Sequence, residues 1–152
     1  MKALRDGVAA LGVVATFAIV VVHYAELPAI IPTHFGCNGV ADGWGGKSSL
    51  WMLVGIAGFL YAVLTLVPYL PQQFINLPVS AERREAAMPV AMEMVGWLNA
   101  ETAWMFAWIV WSTVAVALGR STGLSAWFLP VTLGAILGTI GFYWWRIVRV
   151  KI

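Results

Sequence analysis

The side chains that could carry chemistry are concentrated in residues 25–48. This stretch contains the polar side chains of His34, Cys37, Asn38, Asp42 and Lys47. Its Asn38-Gly39 dipeptide is typical of a tight hairpin turn. A hairpin centred there would place Asp42 opposite His34 or Phe35. Together with Trp44, these groups could recognise a peptide or a membrane partner, and we expect the binding residues to be His34, Asn38, Asp42, Trp44 and Lys47.

A zinc site is the alternative use of the same stretch, with His34, Cys37 and Asp42 as the candidate ligands. The sequence contains no HExxH or CxxC spacing, and it contains no GxSxG or P-loop string. A catalytic zinc would also need a general base, for which only Asp42 or Glu26 is available nearby. We therefore expect no cofactor and no catalytic residue can be assigned.

The second polar feature is Glu101, a carboxyl group within an apolar helix. It shares a stripe with four tryptophans at 4-3-4-3 spacing: Trp97, Trp104, Trp108 and Trp111. A carboxyl group in the membrane is costly and is a functional candidate, and indole faces beside it could help to hold an organic cation. Alternatively, the stripe packs against another helix and Glu101 bonds to a hydroxyl such as that of Thr16, Tyr61 or Thr65.

The composition requires a membrane environment for these elements. Of 152 residues, 61% are hydrophobic and 11% are charged, and the mean hydropathy is +0.85. A soluble domain carries about 25% charged residues. These values exclude a cytosolic enzyme and a DNA-binding domain. The small net charge of +2 argues against a nucleic-acid partner, and the single cysteine excludes an internal disulfide.

Four apolar stretches are each long enough to cross a bilayer. The sequence predicts an all-α integral membrane protein, a single domain over residues 1–152 that folds as a four-transmembrane-helix bundle. The expected spans are about 8–24, 49–69, 94–118 and 126–148, with an ordered outer cap over 25–48. Lipid is therefore one expected partner.

The distribution of Lys and Arg predicts the orientation of the bundle. Most of these residues precede the first span, follow the fourth or lie between the second and third: Lys2, Arg5, Arg83, Arg84, Arg146, Arg149 and Lys151. Only Lys47 and Arg120 fall on the other side. We expect both termini to be cytoplasmic, the cap to be extracytoplasmic, and the protein to lie in the cell inner membrane.

Residues between the second and third spans carry finer expectations. Ser80–Met88 reads as a short charged helix, after which Pro89 should kink or restart the chain before the third span. Glu93 should lie near Arg83 or Arg84.

Two features of the third and fourth spans predict helix packing. Asn99 should bond across to another helix. A ridge of small residues on the fourth span predicts a close helix approach, within the chain or across a homodimer, through Gly134, Gly138 and Gly141.

The cap also carries a family resemblance. The string Leu27-Pro28-x-x-Ile31-Pro32-Thr33-His34-Phe35, followed by Gly39, Asp42-Gly43-Trp44-Gly45 and Lys47, resembles the signature of a widespread prokaryotic domain of unknown function. That domain also forms the N-terminal part of the SdpI-like membrane proteins, which are named for an immunity protein against a secreted toxin. The resemblance implies a small polytopic bacterial or archaeal membrane protein. This sequence contains no counterpart of the further C-terminal membrane domain of the SdpI branch.

Three classes of function are consistent with these features. The first is a binding or regulatory module, immunity- or sensor-like, that acts through its extracytoplasmic cap. The second is a small metal-dependent membrane enzyme that uses the histidine and aspartate of the cap. The third is a small cation transporter, or an accessory subunit of a membrane complex, that uses Glu101 and its tryptophan stripe. The resemblance favours the first class.

Overall fold

The computed structural model describes residues 2–150 and is mostly helical. The long helices of this region are α1 (Lys2–His23), α2 (Ser49–Leu66), α3 (Ala81–Ala117) and α4 (Phe128–Val148). Two short 3₁₀ turns, Val67–Tyr69 and Gln72–Phe74, follow α2. Within the described residues, four helices are long and apolar enough to cross a membrane, which confirms the expectation of a multi-pass membrane protein.

Helix α3 is the central element of the bundle. It packs against α1, α2 and α4, and α1 and α2 also pack against each other. One apolar cluster lies where α1 ends and α2 begins, and it consists of Val20, Leu27, Ile31, Leu50, Val110 and Val114. A second, smaller cluster at the opposite end of the bundle contains Ala87, Ala91 and Ile147.

Helix α3 differs from the sequence-based expectation because it continues through Pro89. Its 37 residues extend for about 55 Å at 1.5 Å per residue, more than the roughly 30 Å of a bilayer core. A proline removes one backbone hydrogen bond from a helix interior. Here Ala87 and Ala91 flank Pro89 and are buried against Ile147 of α4. This packing stabilises the continuous helix that the proline alone would disfavour.

Helices α1 and α3 approach each other closely at Gly12. A Cβ atom added there would lie 2.8 Å from the Cβ of Ala103 and 3.1 Å from the backbone nitrogen of Trp104. One turn later, Thr16 is fully buried and its hydroxyl donates to the carbonyl of Gly12 at 2.9 Å. The hydroxyl is thereby satisfied within its own helix, so Thr16 can face the packed interface.

The segment between α1 and α2 forms a β-hairpin, so the fold is mostly helical rather than all-α. Strand β1 (Ile30–Phe35) pairs antiparallel with strand β2 (Ala41–Gly46). Gly39 turns the chain with a φ of +78°, a conformation that glycine adopts without a steric penalty. The pairing is irregular around His34, which lies opposite Gly43.

The expected partner of Glu93 is also corrected. Its carboxylate accepts from Arg146 of α4 at 2.9 Å rather than from Arg83 or Arg84. Those two arginines lie nine and ten residues earlier on the same helix, roughly 14 Å along the axis. Arg84 instead donates to the carbonyl of Ile75 in the preceding loop.

Candidate functional site

The hairpin is attached to the bundle through its first strand and through Lys47. Ile31 is fully buried, and Leu27, just before the strand, is also in the core. The ammonium group of Lys47 donates to the carbonyls of Tyr24 and Leu27 at 3.1 and 3.2 Å. Carbonyls at the end of a helix have no helical partner, so this lysine satisfies acceptors beyond α1 and anchors the hairpin. Lys47, predicted as a binding residue, therefore has a structural role.

The tip of the hairpin is attached to the loop between α3 and α4. The backbone N–H of Leu124 donates to the carbonyl of Gly39 at 2.8 Å, and Val40 forms a bridge with Gly123. A side chain at Gly123 would collide with the carbonyl of Gly39. The hairpin is thus held at both ends, by Lys47 at its base and by this backbone contact at its tip.

A cavity of about 440 Å³ lies beneath the hairpin, and we call it the cap cavity. Its roof is the segment from Pro32 to Gly39, and its apolar walls come from three helices: Leu50, Met52 and Leu53 of α2, Ile109 of α3, and Phe128 and Leu129 of α4. Ser49, Thr113 and Ser125 add hydroxyl groups. Met52 and Leu129 are 62% and 47% exposed, so the cavity reaches the lipid-facing surface of the bundle.

His34 lies on the rim of the cap cavity and pairs with Asp42. Its Nδ1 is 2.5 Å from the carboxylate of Asp42, and both side chains are more than half exposed. The irregular register brings Asp42 beside His34, although Gly43 lies directly opposite. With Nδ1–H donating to the carboxylate, the neutral ring presents Nε2 as an acceptor. The pair can therefore accept a hydrogen bond from a polar group at the cavity mouth.

The other predicted residues of the cap have different surroundings. The side-chain oxygen of Asn38 accepts from the N–H of Val40 at 3.1 Å, which stabilises the turn. Trp44 is 59% exposed and lies outside the lining of the cap cavity. Cys37 is exposed and lines the cavity. In residues 2–150, no three His, Cys, Asp or Glu side chains converge to hold a metal ion, so the candidate zinc ligands do not form a site.

Glu101 borders a second cavity of about 310 Å³ between α1, α3 and α4, which we call the Glu101 cavity. The hydroxyl of Thr139 in α4 donates to Oε1 of Glu101 at 2.5 Å. The other oxygen, Oε2, is buried without a hydrogen-bond partner. The sequence predicted a hydroxyl partner as one alternative, but its three candidates were wrong. Thr16 bonds within its own helix, and the hydroxyl of Thr65 accepts from Asn99.

Three tryptophans of the predicted stripe line the Glu101 cavity: Trp97, Trp104 and Trp108. The indole N–H of Trp104 donates to the carbonyl of Val8 at 3.0 Å, which fixes this ring between α1 and α3. Trp111 lies outside the cavity lining, and its ring contacts that of His23 at 6.1 Å. The stripe is therefore shared between two environments.

Sequence reasoning missed a buried charge near the start of α1. Arg5, which served only to predict orientation, is 8% exposed. Its guanidinium donates to Asp6 at 2.8 Å and contacts the carbonyl of Glu93 at 3.4 Å. Gly96 of α3 makes room for the guanidinium, since a side chain there would collide with it. A glycine inside a helix facing an arginine was the available signal.

The remaining packing predictions have separate outcomes. Asn99 donates to the hydroxyl of Thr65 at 3.0 Å, which confirms the expected bond to another helix. The glycine ridge of α4 meets no atom within 4 Å, so it does not pack within the described part of the chain: Gly134, Gly138 and Gly141. Homodimer formation through this ridge stays a prediction.

Comparisons with known proteins bear on the segment that contains the hairpin. Residues 11–58 match a family model described as "Domain of unknown function (DUF1648)". An uncharacterized protein of Archaeoglobus fulgidus is 34% identical over 62 residues, which cover 36% of this chain and 34% of that protein. The match thus spans about a third of the length of the relative. No solved structure matches the chain significantly. The matches agree with an uncharacterised membrane family.

Proposed function

We propose that this protein is a membrane-embedded binding module whose ligand occupies the cap cavity. The ligand is a small amphiphile from the bilayer. Its apolar part lies between α2 and α4, and its polar group meets the His34–Asp42 pair. The observation that carries this proposal is the apolar cavity of about 440 Å³ roofed by a hairpin.

The composition of the cavity lining supports a small-molecule ligand. Such sites are typically concave, about 300–1,000 Å³ in volume, and mostly apolar with a few polar groups that orient the ligand. The cap cavity has this combination, with apolar walls from three helices and polar groups at its roof. The rim residues Met52 and Leu129 offer a lateral route from the lipid to the cavity. A ligand can therefore enter without crossing the aqueous phase.

The two attachments of the hairpin support binding by a preformed roof. Lys47 holds its base to the end of α1, and the contact between Gly39 and Leu124 holds its tip. Because a preorganised site loses little conformational entropy when the ligand binds, more of the contact energy appears as affinity.

A regulatory role and an outward orientation belong to the same proposal. Seven of the nine Lys and Arg flank, in sequence, the helix ends opposite the hairpin, which favours a cytoplasmic location for those ends. The hairpin would then face the outside of the cell inner membrane. The resemblance of residues 27–47 to the SdpI-like proteins supports an immunity- or sensor-like module, in which occupancy of the cap cavity is the signal.

Native mass spectrometry tests the ligand and its location. The full chain is purified from its own membranes in mild detergent as wild type, Leu129→Trp and Leu133→Trp. Leu129 lines the cap cavity, whereas Leu133, one turn later and equally lipid-exposed, does not. We expect an amphiphile adduct on wild type and on Leu133→Trp, and its loss from Leu129→Trp, where the indole fills the cavity.

The same experiment includes His34→Ala, which should reduce adduct occupancy because it removes the polar group at the cavity mouth. Equal occupancy in Leu129→Trp and wild type would refute the proposed location. The absence of any adduct, or a bound peptide in place of an amphiphile, would refute the proposed ligand class.

A further inference from the structure

We propose that Glu101 and the three tryptophans beside it form a second, independent binding site for a lipophilic organic cation. The site is the Glu101 cavity of about 310 Å³ between α1, α3 and α4. It lies apart from the cap cavity, and the two cavities share no lining residue.

The carboxyl group of Glu101 has too few partners for a charged group in an apolar environment. A carboxylate can accept about four hydrogen bonds, but Glu101 accepts one, from Thr139. Its Oε2 is buried without a partner. No Lys, Arg or His lines the Glu101 cavity, so the described residues supply no counter-ion there. A cation from outside the chain would complete the charge balance.

The tryptophans determine what kind of cation fits. The negative face of an indole ring attracts a cation, and tryptophan does so best among the aromatic residues. Trp97, Trp104 and Trp108 all line the cavity, and the bond from Trp104 to Val8 fixes one of these rings. A quaternary or bulky organic cation can contact rings and carboxylate at the same time.

The same lining disfavours a metal ion. Hard cations such as calcium take six to eight oxygen ligands. Apart from Glu101, only Thr132 contributes a side-chain oxygen to the lining, and the remaining residues are apolar or aromatic. Trp104 and Val131 are about half exposed at the edge of the cavity, so an apolar cation can reach it from the bilayer.

Binding of tetraphenylphosphonium to the purified full chain in lipid nanodiscs tests the proposal. Equilibrium dialysis with the radiolabelled cation gives the affinity of wild type and of each variant. Glu101→Gln should weaken binding at least tenfold, because the amide keeps the shape of the side chain and removes its charge. Trp108→Leu should also weaken binding, because it removes one ring of the site.

Matched variants identify which effects are specific to the cavity. Glu93→Gln removes a carboxylate of the same helix that pairs with Arg146 and does not line the Glu101 cavity. Trp111→Leu removes the tryptophan of the stripe that lies outside it. Both variants should bind the cation as wild type does. Equal affinity in Glu101→Gln and wild type, or an equal loss in Glu93→Gln, would overturn the proposal.

Two further measurements separate charge recognition from simple partitioning and from the cap cavity. Tetraphenylborate has the shape of the probe and the opposite charge, so it should not displace the bound cation from the protein. Displacement by this anion would overturn the role of Glu101. Leu129→Trp should leave binding of tetraphenylphosphonium unchanged, and a loss in this variant would show that the cation binds in the cap cavity instead.

Discussion

Replacement of Gly12 by alanine tests the close packing of α1 against α3. The added Cβ atom would lie 2.8 Å from the Cβ of Ala103, 3.0 Å from the carbonyl carbon of Ala103 and 3.1 Å from the nitrogen of Trp104. Two of these three atoms belong to the backbone and cannot rotate away. The helices must therefore move apart to accept the methyl group.

The expected magnitude follows from two opposing contributions. Overpacking of a well-packed interface costs about 1–3 kcal/mol, and backbone obstacles place Gly12→Ala in the upper part of that range. Alanine is favoured over glycine within a helix by about 1 kcal/mol, which offsets part of the cost. We expect Gly12→Ala to lower the free energy of unfolding by about 1–2 kcal/mol.

Gly7→Ala is the matched control in the same helix, since no atom lies within 4 Å of a Cβ added at Gly7. It should gain up to about 1 kcal/mol from helix propensity alone. The difference between the two variants isolates the steric contribution, about 2–3 kcal/mol, or roughly a 30- to 150-fold change in the ratio of folded to unfolded protein.

Titration with sodium dodecyl sulfate in mixed micelles measures these differences, and the nine tryptophans provide the fluorescence signal. Adding Ala103→Gly to Gly12→Ala removes the nearest obstacle and should recover part of the lost stability. If Gly12→Ala is as stable as Gly7→Ala, the two helices do not approach as closely as described, and the reasoning is refuted.

Two further predictions use Cys37, the only cysteine of the chain, as a reporter in the exposed turn. Gly123→Ala should break the contact with Gly39 and increase the mobility of a spin label on Cys37; an unchanged electron paramagnetic resonance spectrum would contradict this role for the contact. If the hairpin faces outward, a membrane-impermeant maleimide should label Cys37 in intact cells. Glu85→Cys in a Cys37→Ala background should react only after lysis, and the reverse pattern would invert the proposed orientation.

Local sequence patterns were sufficient to predict the spans and the pairing of His34 with Asp42. The number of long apolar helices follows from runs of hydrophobic residues, because each span must be apolar along its own length. The hairpin follows from the Asn38-Gly39 turn, which brings residues eight positions apart into contact. These features depend on neighbours in the chain, and therefore a single sequence contains the information.

Local patterns failed where long-range packing competes with them. Pro89 is a local signal for a break, yet α3 continues because Ala87 and Ala91 pack against Ile147 of α4. Glu93 pairs with Arg146, 53 residues later, rather than with the arginines of its own helix. In both cases a contact between distant elements outweighs the preference of the local segment.

The sequence by itself determined that this is a multi-pass membrane protein, and it pointed to residues 25–48 and to Glu101 as the places where polar groups are concentrated. Only the tertiary structure decided that the hairpin covers an apolar cavity, that Thr139 bonds to Glu101, and that Arg5 is buried. Composition and turn chemistry act over a few residues. A cavity, by contrast, exists only in the space that several helices leave between them, and its shape depends on how those helices pack.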